Sequence, residues 1–131
     1  MNPENAITLY GRGNVYLDLK KYDKALIDYN HSLSIKPEDF NTVHNRALVY
    51  IRLGRIEEAI VELNCCIKWM PGHPNPYYNL ACIYSVIGES ERAMDYLETA
   101  IDLRTEYKGV AMKEEDFNNI MHELRFKQLL E

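Results

Sequence analysis

The sequence lacks several features that would place it in a specialised class of protein. Its 131 residues contain no apolar run that approaches the roughly 20 residues of a membrane-spanning helix. Fifteen lysines and arginines stand against 20 aspartates and glutamates, so the net charge of −5 argues against a nucleic-acid partner. The first twenty residues also lack the basic-then-apolar layout of a secretion signal. We therefore expect no membrane, no nucleic acid and no secretion.

Cysteine is scarce, and its placement excludes a disulfide framework. The three cysteines are Cys65, Cys66 and Cys82, an odd and clustered set that suits a reducing cytoplasm. Neighbouring residues on a helix point about 100° apart, so Cys65 and Cys66 do not easily share a metal. With His73 added, the spacing still matches no zinc motif. We expect a cytoplasmic protein with no metal site and no cofactor.

The chain shows no pattern of catalytic residues. His31 and His122 have no acid or nucleophile at a suggestive spacing, and no phosphate-binding loop occurs. We therefore predict no catalytic residues, no enzyme activity and no small-molecule substrate.

The sequence does contain three similar segments that recur at an interval of 34 residues. Aligned repeats occupy residues 6–39, 40–73 and 74–107 of a predicted repeat domain at residues 1–107, and a column is one position shared by the three repeats. Column eight is small in each repeat, column eleven is always tyrosine and column twenty is always alanine. The matching residues are Gly13, Ala47 and Ala81; Tyr16, Tyr50 and Tyr84; Ala25, Ala59 and Ala93; Tyr29, Leu63 and Leu97; and Leu33, Ile67 and Ile101.

Each repeat predicts two helices joined by a short turn. Large and small apolar residues recur every three to four positions in both halves of the repeat. The turns fall at Lys20-Lys21, Leu53-Gly54 and Ile87-Gly88, and the second helices start near Asp23, Glu57 and Glu91. Pro37 and Pro71 end two of them, and the prolines of residues 71–76 read as part of a turn between repeats.

The period, the helical hairpin and these columns resemble the tetratricopeptide repeat. The resemblance spans residues 6–107 and implies an all-α fold, a right-handed solenoid of helix-turn-helix repeats. Two departures stand out. Column seven, usually leucine, holds Arg12 and Arg46, which indicates looser packing or a polar role, and Thr105 replaces the expected proline.

Residues 108–131 follow the repeats, and we predict that they form capping helices. Gly109 interrupts the preceding helical pattern. Apolar residues then return at helical spacing, and we expect four of them to cover the end of the third repeat: Phe117, Ile120, Phe126 and Leu129. The alternative is that this segment docks a partner.

The resemblance also implies a binding site, because the first helices of such repeats line a concave groove that usually holds an extended peptide. The groove positions favour polar and aromatic residues here. They are Tyr10, Asn14, Asn41, His44, Asn45, Arg52, Asn75, Tyr78 and Asn79.

The groove residues do not fit the carboxylate clamp with which some family members bind the acidic tails of chaperones. Asn14 and Asn45 match clamp asparagines, but Tyr10, Asn75 and Asn79 occupy its cationic positions. Asn45 and Asn79 share a column and resemble a short asparagine ladder for a peptide backbone. The alternative is a solvated polar face without a ligand.

The sequence thus favours a non-enzymatic scaffold or adaptor that binds an extended segment of a partner protein. A structural or self-associating module of a larger complex is the alternative, with the C-terminal helices as its docking surface.

Overall fold

The computed structural model describes residues 3–131, with side chains from Asn5 onward. The predicted start of the repeat domain, at residues 1–2, lies outside this range. Helices and turns account for the described part of the chain, without a strand. The helices are α1 Pro3–Asp18, α2 Tyr22–Ile35, α3 Phe40–Arg52, α4 Ile56–Trp69, α5 Pro74–Val86, α6 Ser90–Leu103, α7 Tyr107–Met112 and α8 Leu124–Leu129, with a 3₁₀ turn at Glu115–Phe117. The predicted all-α class and its helical hairpins are confirmed.

None of the helices in the described residues has both the length and the apolar character needed to cross a membrane.

The chain divides into two compact units between Trp69 and Met70. In the first unit, α1 packs on α2, α3 packs on α4, and α2 also contacts α3. One core cluster joins Ala25, Tyr29 and Val49. A second cluster contains Leu33, Val43 and Cys66, against which Phe40 and Trp69 pack. The repeating apolar columns therefore form the core of this unit.

The small columns are small because the two helices of a hairpin approach closely there. Ala25, Ala59 and Ala93 are fully buried. A Cβ atom on Gly13 would lie 2.6 Å from the Tyr29 ring, a distance that real Cβ atoms do not tolerate. Only glycine fits beside tyrosine at this crossing.

The three turns within the repeats use the left-handed backbone conformation. Gly54 and Gly88 adopt φ values of 76° and 90°, as expected for glycine after a helix. In the first repeat Lys20 takes the same conformation, with φ at 60°, at the strain that a non-glycine residue carries there.

The column-seven arginines form ion pairs within their hairpins. Arg12 donates two hydrogen bonds of 2.8 Å to the buried carboxylate of Asp28. Arg46 lies 2.6 Å from Glu62 and also donates to Asn30. Asp28 and Glu62 occupy the same column, number twenty-three. These arginines therefore have a polar role in linking the two helices of a hairpin.

The second unit begins with the hairpin of α5 and α6, and here one prediction was wrong. The prolines of residues 71–76 were expected to mark only a turn. Instead Pro74 and Pro76 lie in the first turn of α5, and His73 is its N-cap. Proline suits this position because the first helical N–H groups have no acceptor within the helix.

The C-terminal segment, residues 104–131, packs against this hairpin. The 3₁₀ turn contacts α5, whereas α7 and α8 contact α6. Phe117, Ile120 and Phe126 are buried, as predicted, but Leu129 is only half-buried. The prediction for Gly109 was wrong: it lies within α7, and α6 has already ended at Leu103. The 107/108 boundary stays a prediction.

Candidate functional site

The amide of Asn14 stands at the centre of a hydrogen-bond network in the first unit. Its Oδ1 atom accepts a hydrogen bond of 2.5 Å from the Tyr29 hydroxyl and one of 2.9 Å from Asn45 Nδ2. An amide carbonyl offers two lone pairs, and both are used here. The two bonds fix the amide orientation and turn its NH₂ group away from Tyr29 and Asn45.

Tyr10 on α1 and Tyr29 on α2 also belong to this network. Asn45 Nδ2 also approaches the Tyr10 hydroxyl at 3.4 Å, and the Tyr10 and Tyr29 ring centres lie 6.3 Å apart. Burial, and next the proximity of Tyr10, raises the pKa of Tyr29 well above its ordinary value. Tyr29 therefore keeps its proton and acts as a hydrogen-bond donor. The network links α1, α2 and α3.

Five of the predicted site residues are accessible on α1 and α3, and we call these five the polar face. Three are half-buried and two are exposed. They are Tyr10, Asn14, Asn41, Asn45 and Arg52. Only Arg52 is cationic, so the polar face offers amide and hydroxyl groups rather than strong charge.

His44 differs from the other predicted site residues of α3. Its side chain is only 9% exposed, and its ring stacks on Phe40 with 5.9 Å between ring centres and 7° between planes. Its ring is therefore already engaged in packing against a neighbouring side chain of α3.

In the second unit, the chain's own C-terminal segment covers two predicted site residues. Tyr78 is 7% exposed because Tyr107 stacks on it at 4.6 Å and Phe117 meets it edge-on at 5.7 Å. The Tyr107 hydroxyl also donates a hydrogen bond to Asn75 Oδ1. The expected open groove at Tyr78 and Asn75 is thus filled by side chains that the repeat alignment could not place there.

Asn79 lies half-buried on α5, in the repeat column of Asn45. The asparagine ladder that these two residues would form stays a prediction.

Sequence reasoning missed Tyr29 and Tyr107 as contributors to the site. Tyr29 was assigned to the core, which is correct for its ring but overlooks its hydroxyl. The pairing of Gly13 with the large Tyr29 indicated that the tyrosine ring packs directly against α1 at the glycine. No comparable signal existed for Tyr107, which is the last residue of the third repeat.

One group of side chains in the described part of the chain has the composition of a metal site. The Cys82 thiol, a Glu114 carboxylate oxygen and an Asp116 carboxylate oxygen all lie within 4.8 Å of one another. The other two cysteines lie in the first unit, where Cys66 is fully buried in the core and Cys65 is half-buried.

Comparison with protein families identifies the repeats. Models of the tetratricopeptide repeat match residues 6–39, 41–73 and 74–107. A search of the curated proteins gave no match.

Solved structures share the fold at low sequence identity. One is the first repeat domain of Spaghetti (RPAP3) bound to the HSP90 peptide SRMEEVD, at 19% identity and a TM-score of 0.75 over 98% of this chain and 93% of that one. Another is a Thermobaculum terrenum O-GlcNAc transferase, at 21% identity and 0.74, over 80% of this chain but only 20% of the transferase. The MamA protein gives 24% identity and 0.72, over 81% of this chain and 58% of MamA. At these identities the likeness concerns the fold alone.

The three family-model matches cover most of the sequence and coincide with the observed helical hairpins, and the chain therefore belongs to the tetratricopeptide repeat family.

Proposed function

We propose that this chain is a non-enzymatic adaptor that binds an extended segment of a partner protein on the polar face of α1 and α3. The family consists of interaction scaffolds, which are generally not catalytic. The observation that carries the proposal is the Asn14 carbonyl, whose two lone pairs accept from Tyr29 and Asn45.

This arrangement prepares Asn14 to donate to a peptide carbonyl. Because its oxygen is held by two donors, the NH₂ group has one fixed direction before any partner arrives. Asn45 is held in the same network and offers its own amide carbonyl as an acceptor for a peptide N–H group. A surface that is ordered in advance loses less entropy on binding. Contacts of this kind recognise the backbone of the bound segment rather than a particular side-chain sequence.

The charge of the polar face sets the class of partner. The peptide in the Spaghetti structure, SRMEEVD, carries three acidic residues. In this chain Tyr10, Asn75 and Asn79 occupy the positions where a carboxylate clamp has cations. We therefore propose a segment that is bound through its main chain, with Tyr10 packing beside it, and not an acidic C-terminal tail.

In the second unit, we include Asn79 among the proposed recognition residues, because it shares the repeat column of Asn45. We assign Asn75, Tyr78 and the buried His44 supporting roles, since their surfaces already contact other parts of the chain. The free state of all three cysteines is consistent with a cytoplasmic protein.

The test compares wild type with Asn14→Ala/Asn45→Ala. A partner captured by wild type is mapped to a synthetic peptide, and its affinity is measured by calorimetry. We expect the double variant to bind at least ten-fold more weakly. The matched control is Asn64→Ala, which removes an exposed asparagine from α4, outside the polar face, and is expected to leave the affinity unchanged. Equal affinities for the three proteins would contradict the proposal.

Self-association is the second candidate, and a specific observation favours it. The C-terminal segment exposes Met112, Met121 and Leu124 at 67%, 55% and 70%. Apolar side chains gathered on one short segment are typical of a docking surface. Sedimentation equilibrium over a wide concentration range checks this, since a mass that stays monomeric would contradict it.

A further inference from the structure

The group formed by Cys82, Glu114 and Asp116 unites two parts of the second unit that the sequence keeps more than thirty residues apart. Cys82 lies on α5, Glu114 is the N-cap of the 3₁₀ turn, and Asp116 lies within that turn. Their sulfur and carboxylate oxygen atoms are within 4.8 Å of one another. The thiol and the Glu114 carboxylate are partly buried, whereas the Asp116 carboxylate is exposed, which leaves a path from solvent.

A buried hydroxyl points into the same place. Tyr78 precedes Cys82 by one helical turn on α5, and its side chain is only 7% exposed. Its hydroxyl oxygen has no partner of good hydrogen-bond geometry among the described residues, but it lies beside the Cys82 thiol and interacts with it. A ligand in the site would give this buried hydroxyl a hydrogen bond of better geometry.

The electrostatics of the group also favour a cation. Two carboxylate groups lie beside the Cys82 thiol, and their oxygen atoms and the sulfur atom are donors that bind cations. A divalent ion between them would add positive charge and stabilise the thiolate form of Cys82.

We propose that Cys82, Glu114 and Asp116 form a binding site for a divalent cation of the zinc class. A thiolate combined with carboxylates suits zinc, cobalt or cadmium, whereas magnesium and calcium prefer oxygen ligands alone. Ligand atoms around a tetrahedral zinc ion lie about 3.5 Å apart, so atoms that are now separated by as much as 4.8 Å need to approach by at most about 1.3 Å. On binding, the Cys82 thiol releases its proton to solvent and its sulfur bonds the metal. A water molecule completes the tetrahedron and accepts from the Tyr78 hydroxyl.

The site gives the C-terminal segment a second means of attachment. Cys82 belongs to the repeat hairpin, and Glu114 and Asp116 belong to the segment that covers Tyr78. A bound cation would fasten the segment to α5 at this point. The sequence alone predicts no metal site here, because a cysteine on one helix and two acids on a distant turn form no spacing motif.

Cobalt(II) is the probe for the test, since a cobalt–thiolate bond gives a near-ultraviolet charge-transfer band. The full chain is titrated with cobalt, and we expect a band that saturates at one ion per chain. The band should persist in Cys65→Ser, which removes the more accessible thiol, and should be absent in Cys82→Ser. A band retained in Cys82→Ser, or absent from wild type, would overturn the proposal.

A second variant guards against misfolding, because Cys82 is buried. Glu114→Gln/Asp116→Asn keeps the size of both side chains and leaves the thiol in place. We expect this variant to keep the wild-type circular dichroism spectrum and to bind cobalt at least ten-fold more weakly. Zinc should also raise the melting temperature of wild type but not of this variant. Unchanged cobalt affinity in the double variant would contradict the site even if Cys82→Ser fails to fold.

Discussion

At the scale of the residue, a small side chain on the first helix of a hairpin is matched by a larger side chain on the second helix. The first repeat pairs Gly13 with Tyr29, and the third pairs Ala81 with Leu97. The glycine is required because the tyrosine ring occupies the space of a Cβ atom. The Tyr29 ring also carries the hydroxyl that donates a hydrogen bond to Asn14. The pairing of Gly13 with Tyr29 therefore helps to position one residue of the polar face.

We expect Gly13→Ala to lower the free energy of unfolding by about 1–3 kcal/mol, because overpacking displaces the Tyr29 ring. The control is Gly11→Ala in the same helix, where a Cβ atom meets nothing within 4 Å. It should raise stability by about 0.5–1 kcal/mol through helix propensity. Urea unfolding followed by circular dichroism measures both. A stabilising Gly13→Ala would show that the ring moves freely.

The cysteines provide a prediction about reactivity. Burial raises the pKa of the Cys66 thiol to about 12, and the pKa of Cys82 is also raised. Since thiolates are the reactive form, iodoacetamide at pH 8 should modify Cys65 first and leave the other two nearly intact. Mass spectrometry of peptides from the folded protein measures this order, and all three should react in urea. Rapid labelling of Cys66 in the folded protein would contradict the observed burial.

At the scale of the element, ion pairs in two hairpins stand where the third has apolar side chains. The columns of Arg46 and Glu62 hold Leu80 and Tyr96 in the third repeat. Burying charge is costly unless it is paired, so both members must change together.

We therefore expect Arg46→Leu to cost about 2–3 kcal/mol, since it leaves the mostly buried Glu62 carboxylate without its cation. The double variant Arg46→Leu/Glu62→Tyr, which copies the third repeat, should fall within about 1 kcal/mol of wild type. Urea denaturation of the three proteins decides. Additive losses in the double variant would show that the pair is not coupled.

The start of α3 carries a prediction about pH. The Asp39 carboxylate caps this helix by accepting from the backbone N–H and the hydroxyl of Thr42. Burial alone would raise the pKa of Asp39, but hydrogen bonds from Thr42 and Lys36 lower it below its ordinary value. Because the unfolded chain takes up the proton first, the cap stabilises the fold above about pH 4 and is lost as the pH falls further.

We expect Asp39→Ala to cost about 1 kcal/mol at pH 7, whereas Asp39→Asn keeps a cap and costs less. Between pH 7 and pH 3, wild type should lose more stability than Asp39→Asn, because only wild type has a carboxylate to protonate at this position. Urea unfolding at the two pH values tests this. An equal loss in both proteins would contradict the role of the Asp39 charge.

The elements were predictable because their signals are local. Column spacing predicted the hairpins, and the second helices begin at Tyr22, Ile56 and Ser90, each one residue before the predicted acid. The errors at Pro74, Pro76 and Gly109 arose because these residue types are read as breakers, although proline fits a first helical turn and glycine tolerates a short helix. The acidic partners of Arg12 and Arg46 could not be predicted in this way, because identifying them requires knowing how the two helices of a hairpin pack.

At the scale of the whole molecule, the two compact units differ in what covers their helices. The first unit leaves the polar face of α1 and α3 accessible, whereas the C-terminal segment covers Tyr78 of α5 in the second. The sequence predicted the burial of Phe117 and Phe126 but not the contact of Phe117 with the predicted site residue Tyr78, since only the repeats can be aligned by column. The approach of Glu114 to Cys82 was hidden for the same reason.

We expect Phe117→Ala to lower the free energy of unfolding by about 3–5 kcal/mol, because it leaves a cavity beneath Tyr78 and Phe126. The control in the same segment is Leu124→Ala, whose side chain is 70% exposed and whose loss should change stability by less than about 0.5 kcal/mol. Urea denaturation measures both. A small effect of Phe117→Ala would mean that the segment does not stabilise the second unit.

The paired columns seven and twenty-three have a consequence for how a repetitive chain finds its correct partners during folding. Its hairpins share so many residues that a first helix could dock on the second helix of the wrong repeat. Were α5 to dock on α2, Leu80 would face the buried Asp28 carboxylate and leave it without a cation. Such an exchange is penalised by an unpaired charge. The salt bridges of the first two hairpins thus favour correct helix pairing, because the third hairpin has no charged residue in these columns.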